Sequence, residues 1–288
     1  MKKYLYPFLI VVAIMVIQAM AGVAIFLFAF IKNPHLLNNP EAIQDVSNVM
    51  TIDSLAWAVI LCDILVVVLI ALMKMVNWKT VYNFIQVEWK WSLVAILGAV
   101  SVTFFLDYMN EVMGLPNLME NQFIDLSNNF VGILGIAVLG PICEELIFRE
   151  AFMGYMLRNG GEKWLAIILS AVLFGVIHMN PAQILFASAI GLIYGLIYYK
   201  TGNVVVTSIL HILNNSFSVV MMLIYGEKTK EMTLTSEVGT AGAIILATIG
   251  LAVCILCLKF FWKNAKTYPY EQDYPEKVEV AEVTIEKE

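Results

Sequence analysis

Charged residues are scarce in this sequence. Asp, Glu, Lys and Arg together make up 14% of the 288 residues, whereas hydrophobic residues make up 60%. A soluble domain carries about a quarter charged residues, which it needs to cover its surface. The composition therefore excludes an ordinary soluble fold and predicts a chain built mostly of membrane-spanning segments.

The sequence also lacks a basic patch with interleaved aromatic residues, and its formal net charge is −6. We therefore expect no nucleic-acid partner, because binding phosphates requires clustered Lys and Arg. Cysteine is rare as well. The four cysteines all fall within apolar runs: Cys62, Cys143, Cys254 and Cys257. Their placement indicates no disulfide framework.

Two common hydrolase signatures are absent. The chain contains no His-Glu-x-x-His zinc motif and no Gly-x-Ser-x-Gly nucleophile turn. Cys143 adjoins Glu144, but a neighbouring carboxylate disfavours the thiolate that a cysteine nucleophile needs. The sequence thus gives no support to a zincin, a serine hydrolase or a cysteine hydrolase.

Long apolar runs predict an all-helical polytopic membrane protein with about eight transmembrane helices. A helix needs roughly 20 residues to cross a hydrocarbon core about 30 Å thick, and each run is close to this length or longer. The predicted spans are residues 4–31, 55–76, 91–108, 129–157, 163–179, 182–199, 203–225 and 238–262. In the fourth span Gly140-Pro141 predicts a kink or break, because proline has no N–H to donate.

The distribution of Lys and Arg predicts how the spans are oriented, because short cytoplasmic connections are enriched in these residues. With the N-terminus inside, only Lys32, Lys228 and Lys230 fall on the outer side of the spans. Lys2 precedes the first apolar run as in a signal peptide, but the run continues to about Phe30 and is long enough to remain as a span. We expect a multi-pass protein of the cell membrane with both termini cytoplasmic.

Ionisable and amide side chains cluster inside three of the predicted spans. An ionisable group at bilayer depth costs about 2.5 to 3.5 kcal/mol on insertion scales and is by default a sign of function. The cluster consists of Glu144, Glu145, Arg149 and Glu150 in the fourth span, His178 at the end of the fifth, and His211, Asn214 and Asn215 in the seventh.

Helical geometry assigns different roles to the two adjacent glutamates. Glu145 and Arg149 are spaced i and i+4 and lie about 40° apart, so the arginine is expected to anchor this carboxylate. Glu144 points about 140° away from Arg149 and remains free to face a cavity as a general base. His211 and Asn215 share one helix face, as two donors to an oxyanion would.

Three interpretations of this cluster remain open from the residues alone. In the first interpretation His178 holds an attacking water beside Glu144 or shares its proton, and the cluster serves acyl hydrolysis. The same side chains would also serve as interhelical hydrogen bonds of a bundle, or as the ion relay of a transporter. Asp63 and Asp107 stand alone in their spans and receive no role.

Three motifs, in order on successive spans, resemble those of the CPBP family of intramembrane glutamic endopeptidases. This group, also called the Abi family, includes CAAX prenyl proteases and bacteriocin-processing enzymes, some of them labelled metalloproteases. The motifs are Glu144-Glu145-Leu146-Ile147-Phe148-Arg149 for Glu-Glu-x-x-x-Arg, Phe174-Gly175-Val176-Ile177-His178 for Phe-x-x-x-His, and His211-Ile212-Leu213-Asn214-Asn215 for His-x-x-x-Asn.

The resemblance implies an intramembrane protease in which Glu144 and His178 activate water while His211 and Asn215 stabilise the oxyanion. It also implies a peptide or protein substrate, including one associated with the lipid bilayer. We expect no cofactor; the alternative is a divalent metal such as zinc, held by Glu144, His178 and His211. A non-catalytic membrane scaffold or bacteriocin-immunity protein of the same fold remains the alternative function.

The apolar runs predict a transmembrane helical domain at residues 1–262. The resemblance places the peptidase core of this domain at about 129–218. Residues 263–288 are rich in Glu, Lys and Tyr and show no apolar periodicity. They are expected to form a polar, flexible cytoplasmic tail.

Overall fold

A computed structural model describes residues 2–32, 51–82 and 87–273. Within these ranges the chain forms ten α-helices, two short 3-10 helices (Gly226–Lys230 and Tyr270–Asp273) and no strand, so the prediction of an all-helical protein is confirmed. The helices are α1 Lys2–Lys32, α2 Ile52–Leu72, α3 Trp78–Tyr82, α4 Trp89–Met113, α5 Glu120–Ser127, α6 Phe130–Arg158, α7 Lys163–Val176, α8 Pro181–Thr201, α9 Val204–Tyr225 and α10 Leu234–Asn264.

Seven of these helices are long and apolar enough to cross a membrane, namely α1, α2, α4, α6, α8, α9 and α10. The polytopic architecture is therefore confirmed for the described residues. The predicted fifth span is shorter than expected, because α7 has only 14 residues. At a rise of 1.5 Å per residue it covers about 21 Å, less than the roughly 30 Å of a hydrocarbon core.

Local sequence signals set several ends of helices α6, α8 and α9. The side chains of Asn129 and Asn203 accept hydrogen bonds from the first turns of α6 and α9. Pro181 opens α8, where its missing N–H costs nothing. Gly202 ends α8 with a φ of 62°, a left-handed conformation that favours glycine.

Helix α6 continues through Gly140-Pro141 without the predicted break. Two wide π-helical stretches, Gly135–Leu139 and Leu146–Gly154, flank an ordinary α-helical turn. The N–H of Gly140 donates to the carbonyl of Gly135, five residues back. The missing proline N–H is thus accommodated within a widened turn, and the helix is not broken there.

Helix α6 also lies at the centre of the bundle. Helices α2 and α9 pack against its first half, and α1, α7 and α8 contact its second half. Helices α7 and α8 form a close pair because Gly191 has no side chain: a Cβ there would lie 2.9 Å from the Phe174 ring. This pairing confirms that the small residues of the sixth predicted span allow close helix approach.

The end of α6 is held by a buried ion pair between Glu150 and Arg158. Nη1 of Arg158 donates to the Glu150 carboxylate at 2.7 Å, and Nη2 donates to the carbonyl of Met75 at 2.8 Å. The hydroxyl of Tyr198 and the backbone N–H of Asn77 donate to the same carboxylate. Glu150 therefore has a structural role, joining α6 to α8 and to the turn after α2.

The chain after α10 packs back onto this end of the bundle. The N–H of Tyr268 donates to the carbonyl of Lys200 at 2.9 Å, and the hydroxyl of buried Tyr270 donates to the carbonyl of Tyr198 at 2.9 Å. The first residues of the predicted flexible tail, up to Asp273, are thus fixed because tyrosines satisfy carbonyls at the end of α8. Residues 274–288 lie outside the described residues.

We expect Arg158→Met to destabilise the protein strongly, because it leaves the buried Glu150 carboxylate without its cation. Breaking one partner of a buried pair costs about 3–5 kcal/mol. The free energy of unfolding in detergent micelles measures this loss. The double variant Glu150→Gln/Arg158→Met should lose less stability than the single variant. The control Lys163→Met, at an exposed lysine near the same end of the bundle, should lose almost no stability. Equal losses in all three variants would contradict the role of the pair.

Candidate active site

His211 lies between the two adjacent glutamates of α6. Its Nδ1 is 3.4 Å from Oε1 of Glu145, and its Nε2 is 3.9 Å from Oε2 of Glu144. The histidine is buried in the middle of α9, where that helix packs against the Gly140–Glu145 turn of α6. The structure therefore brings together the first and third motifs.

Glu145 is fixed by Arg149, as the helical spacing predicts. Oε2 of Glu145 lies 3.1 Å from Nε of Arg149, and both side chains are fully buried. Nη1 of Arg149 donates to Oγ of Ser170 on α7 at 2.8 Å, and the guanidinium carbon lies 4.9 Å from the centre of the Phe174 ring. The arginine thus ties the glutamate to α7 as well as to α6.

Glu144 has a different environment from its neighbour. Its side chain is 29% exposed, whereas that of Glu145 is 0% exposed. Among the described residues, Oε2 of Glu144 is a buried atom that accepts no hydrogen bond, and the same holds for both Glu145 oxygens. The two carboxylates therefore differ in their exposure and in the arginine partner that Glu145 alone has.

His178 occupies the turn that follows α7. Its Nδ1 lies 2.7 Å from the carbonyl oxygen of Phe174. Because a carbonyl only accepts, Nδ1 is the donor, and Nε2 of a neutral ring is left as an acceptor. The turn is held by buried Asn180, which accepts from the N–H of Leu118 and donates to Oδ1 of Asn117.

The Phe174 ring joins the second motif to the third. It makes edge contacts with the imidazoles of His178 and His211, at centroid distances of 5.2 and 5.7 Å. His178 thus lies near His211 through this ring, and no direct ion pair or hydrogen bond of His178 with Glu144 forms within the described residues. The two histidines approach the same phenyl ring from the turn after α7 and from α9.

Asn215 lies one turn after His211 on α9 and contacts α6. Its Nδ2 donates to the carbonyl of Ile136 at 2.9 Å. In the i to i+5 pattern of this π-helical stretch, that carbonyl would be the acceptor for residue 141, but Pro141 has no N–H. The amide therefore satisfies a carbonyl that proline leaves free, and its second N–H remains available.

Some neighbours of the site were not predicted from the sequence. The Tyr194 ring lies 5.7 Å from the imidazole of His211, and Arg149 lies over the same tyrosine. Oδ2 of Asp63 on α2 lies 3.8 Å from where a Cβ on Gly140 would be, one helical turn before Glu144. Asp63 carries no motif, so only the packing of α2 on α6 could place it here.

The alternative metal ligand set does not fit this arrangement. Across residues 2–32, 51–82 and 87–273, no three His, Cys, Asp or Glu side chains converge closely enough to hold a metal ion. His178 is joined to this region through its edge contact with the Phe174 ring, so these three side chains are not gathered around one point within the described residues.

Comparison with known proteins points to the same region of the chain. A family model described as Type II CAAX prenyl endopeptidase Rce1-like matches residues 126–217. No solved structure matches the chain with significance.

Three curated relatives also match the chain. The sequence is 31% identical to the putative membrane peptidase YdiL of Bacillus subtilis, over 32% of this chain and 37% of the relative. It is 36% identical to the UPF0177 protein YbdI of Lactococcus lactis, over 42% and 64% of the two chains. It is 29% identical to the membrane-embedded CAAX protease MroQ of Staphylococcus aureus, over 35% and 43%.

The chain spans less than two thirds of the length of these relatives. The matched residues 126–217 contain all three motifs, on α6, α7 and α9. The resemblance predicted from the motifs is thus confirmed: this part of the chain is similar to the CAAX-type membrane endopeptidases of the CPBP family.

Proposed function

We propose that this chain is an intramembrane endopeptidase in which Glu144 activates the attacking water. The observation that carries the proposal is the difference between the environments of the two glutamates. Arg149 neutralises buried Glu145 at 3.1 Å, whereas Glu144 is partly exposed beside His211. A partly exposed carboxylate without an arginine or lysine partner is suited to accept a proton.

The proposed reaction begins with a water held by Glu144 and Nε2 of His178. Glu144 takes one proton from the water while the water oxygen attacks the carbonyl carbon of the scissile peptide bond. The carbonyl π bond opens, and the negative charge of the tetrahedral intermediate resides on the former carbonyl oxygen. Collapse of the intermediate breaks the C–N bond, and Glu144 returns its proton to the leaving amine.

His211 and Asn215 are the proposed donors to the oxyanion. Oε1 of Glu145 faces Nδ1 of His211, so a proton on this nitrogen has an acceptor and the opposite nitrogen is directed toward Glu144. When Nε2 of His211 carries a proton, it would donate this proton's hydrogen bond to the developing charge. Asn215 would contribute the N–H that does not bind Ile136.

The comparisons support this proposal at the level of reaction class. The Rce1-like match covers the four proposed site residues, and the relative from Staphylococcus aureus is named a CAAX protease. We propose a peptide or protein substrate whose scissile bond reaches the site from the membrane. The hydrocarbon surroundings would limit competing water and strengthen the electrostatic effect of each donor.

We expect Glu144→Gln to lower the rate of peptide cleavage by about a hundredfold to ten-thousandfold, because glutamine cannot accept the proton of water. Cleavage of a diverse peptide library by the purified protein, read as new termini by mass spectrometry, measures this rate. Asp107→Asn serves as the matched control, since it removes another carboxyl from the membrane-spanning helices. Undiminished cleavage by a folded Glu144→Gln protein would disprove the mechanism.

We expect Asn215→Ala to lower kcat by about a hundredfold to a thousandfold with little change in KM, as is usual when an oxyanion donor is removed. The neighbouring Asn214→Ala should retain most of the activity. Because Asn215 also binds Ile136, the free energy of unfolding of each variant must be measured beside its kinetics. A loss of kcat that only follows the loss of folded protein would assign Asn215 a structural role instead.

A further inference from the structure

A cavity of about 400 Å³ lies at the end of the bundle where the chain after α10 folds back. The start of α4, the end of α8 and the end of α10 meet there. Its polar lining comes from Glu88, Ser92, Lys200, Lys266 and Thr267. Pockets that hold small ligands in proteins span about 300–1,000 Å³, so the cavity is large enough for one.

Lys200 is the unusual side chain of this cavity. Only 7% of its surface is exposed, and its Nζ makes one hydrogen bond, to Oγ1 of Thr267 at 3.0 Å. No carboxylate oxygen lies within 4 Å of this nitrogen among the described residues. An ammonium has three donors, and a buried charge is costly unless an anion balances it.

Neighbouring groups compensate this charge only in part. The Trp262 ring faces Nζ of Lys200 at 5.2 Å, and the carbonyl end of α8 contributes a partial negative charge. Glu88 is the acid of the lining, and its Oε2 accepts the backbone N–H of Lys266 at 2.8 Å. Lys266, whose side chain is exposed, also lines the cavity, so the lining has two lysines and one carboxylate.

The surroundings of the cavity match a membrane interface. Trp262 stacks with Trp164 and Tyr199 at centroid distances of 6.0 and 5.8 Å, and Trp91 packs against Phe260. Aromatic rings of this kind concentrate at the level of the lipid headgroups. The same end carries exposed lysines on α4 and α10: Lys90, Lys259 and Lys263.

We propose that this cavity binds the phosphate-bearing headgroup of an anionic phospholipid. A phosphate oxygen would accept the two unused N–H groups of Lys200, and the acyl chains would continue along the apolar outer surface of the bundle. Basic pockets between transmembrane helices at the cytoplasmic interface are suited to such headgroups. The acidic stretch 274–288 of this chain is the competing occupant that an experiment must separate.

Native mass spectrometry of the full-length protein released from detergent micelles tests the proposal. Apparent Kd values are measured for phosphatidylglycerol and for phosphatidylcholine with the same acyl chains. The variants are Lys200→Gln, Lys200→Arg, Lys266→Gln and the control Lys259→Gln, which removes an exposed lysine of α10 outside the cavity. Inorganic phosphate and a synthetic peptide of residues 274–288 are added as competitors.

We expect phosphatidylglycerol to bind more tightly than phosphatidylcholine. Lys200→Gln should raise the Kd for the anionic lipid about fivefold or more, and Lys266→Gln should raise this Kd to a smaller extent. Lys200→Arg and Lys259→Gln should change the Kd little. If Lys200→Gln does not fold, Lys266→Gln and the preference between the two lipids decide the question.

Four results would overturn the lipid assignment. Equal binding of the two lipids, or equal losses in Lys266→Gln and Lys259→Gln, would remove the evidence for a headgroup site. Displacement of the lipid by inorganic phosphate at the same concentration would identify a site for a soluble anion. Binding of the 274–288 peptide without binding of phosphatidylglycerol would identify the cavity as a site for the chain's own tail.

Discussion

The buried pair between Glu145 and Arg149 organises the site region of the protein. Its two charges lie 3.1 Å apart, and their side chains are fully shielded from solvent. Taking charges out of water is costly, so the pair persists only because further partners surround it. The arginine reaches Ser170 and lies over Phe174, while the glutamate faces His211. One interaction thereby sets the relative positions of α6, α7 and α9.

Glu144 depends on this pair although it does not take part in it. Consecutive residues of a helix face different directions, so fixing the rotation of α6 at Glu145 directs its neighbour toward the open side. The Ile136 carbonyl of the same helix binds Asn215. This carbonyl is free to do so because Pro141 has no N–H to donate to it. The widened turns of α6 therefore support the site on both sides of Gly140-Pro141.

A second buried ion pair, Glu150 with Arg158, anchors the other end of the same helix. It connects α6 to α8 and, through Tyr198 and Tyr270, to the chain after α10. The proposed lipid cavity adjoins this anchored end, whereas the proposed active site lies at the Gly140–Glu145 turn. The central helix thus carries the proposed active site in its middle and structural contacts at its end.

The sequence by itself determined the all-helical class, most of the spans and the pairing of Glu145 with Arg149, because apolar run length and i to i+4 spacing are local properties. It did not reveal the short α7, the uninterrupted α6 or the place of Asp63 beside Gly140. Only tertiary structure decided that His211 contacts both glutamates, that Phe174 bridges two histidines and that Tyr270 fixes the start of the tail. These contacts join residues far apart in the chain, so helix packing alone determines them.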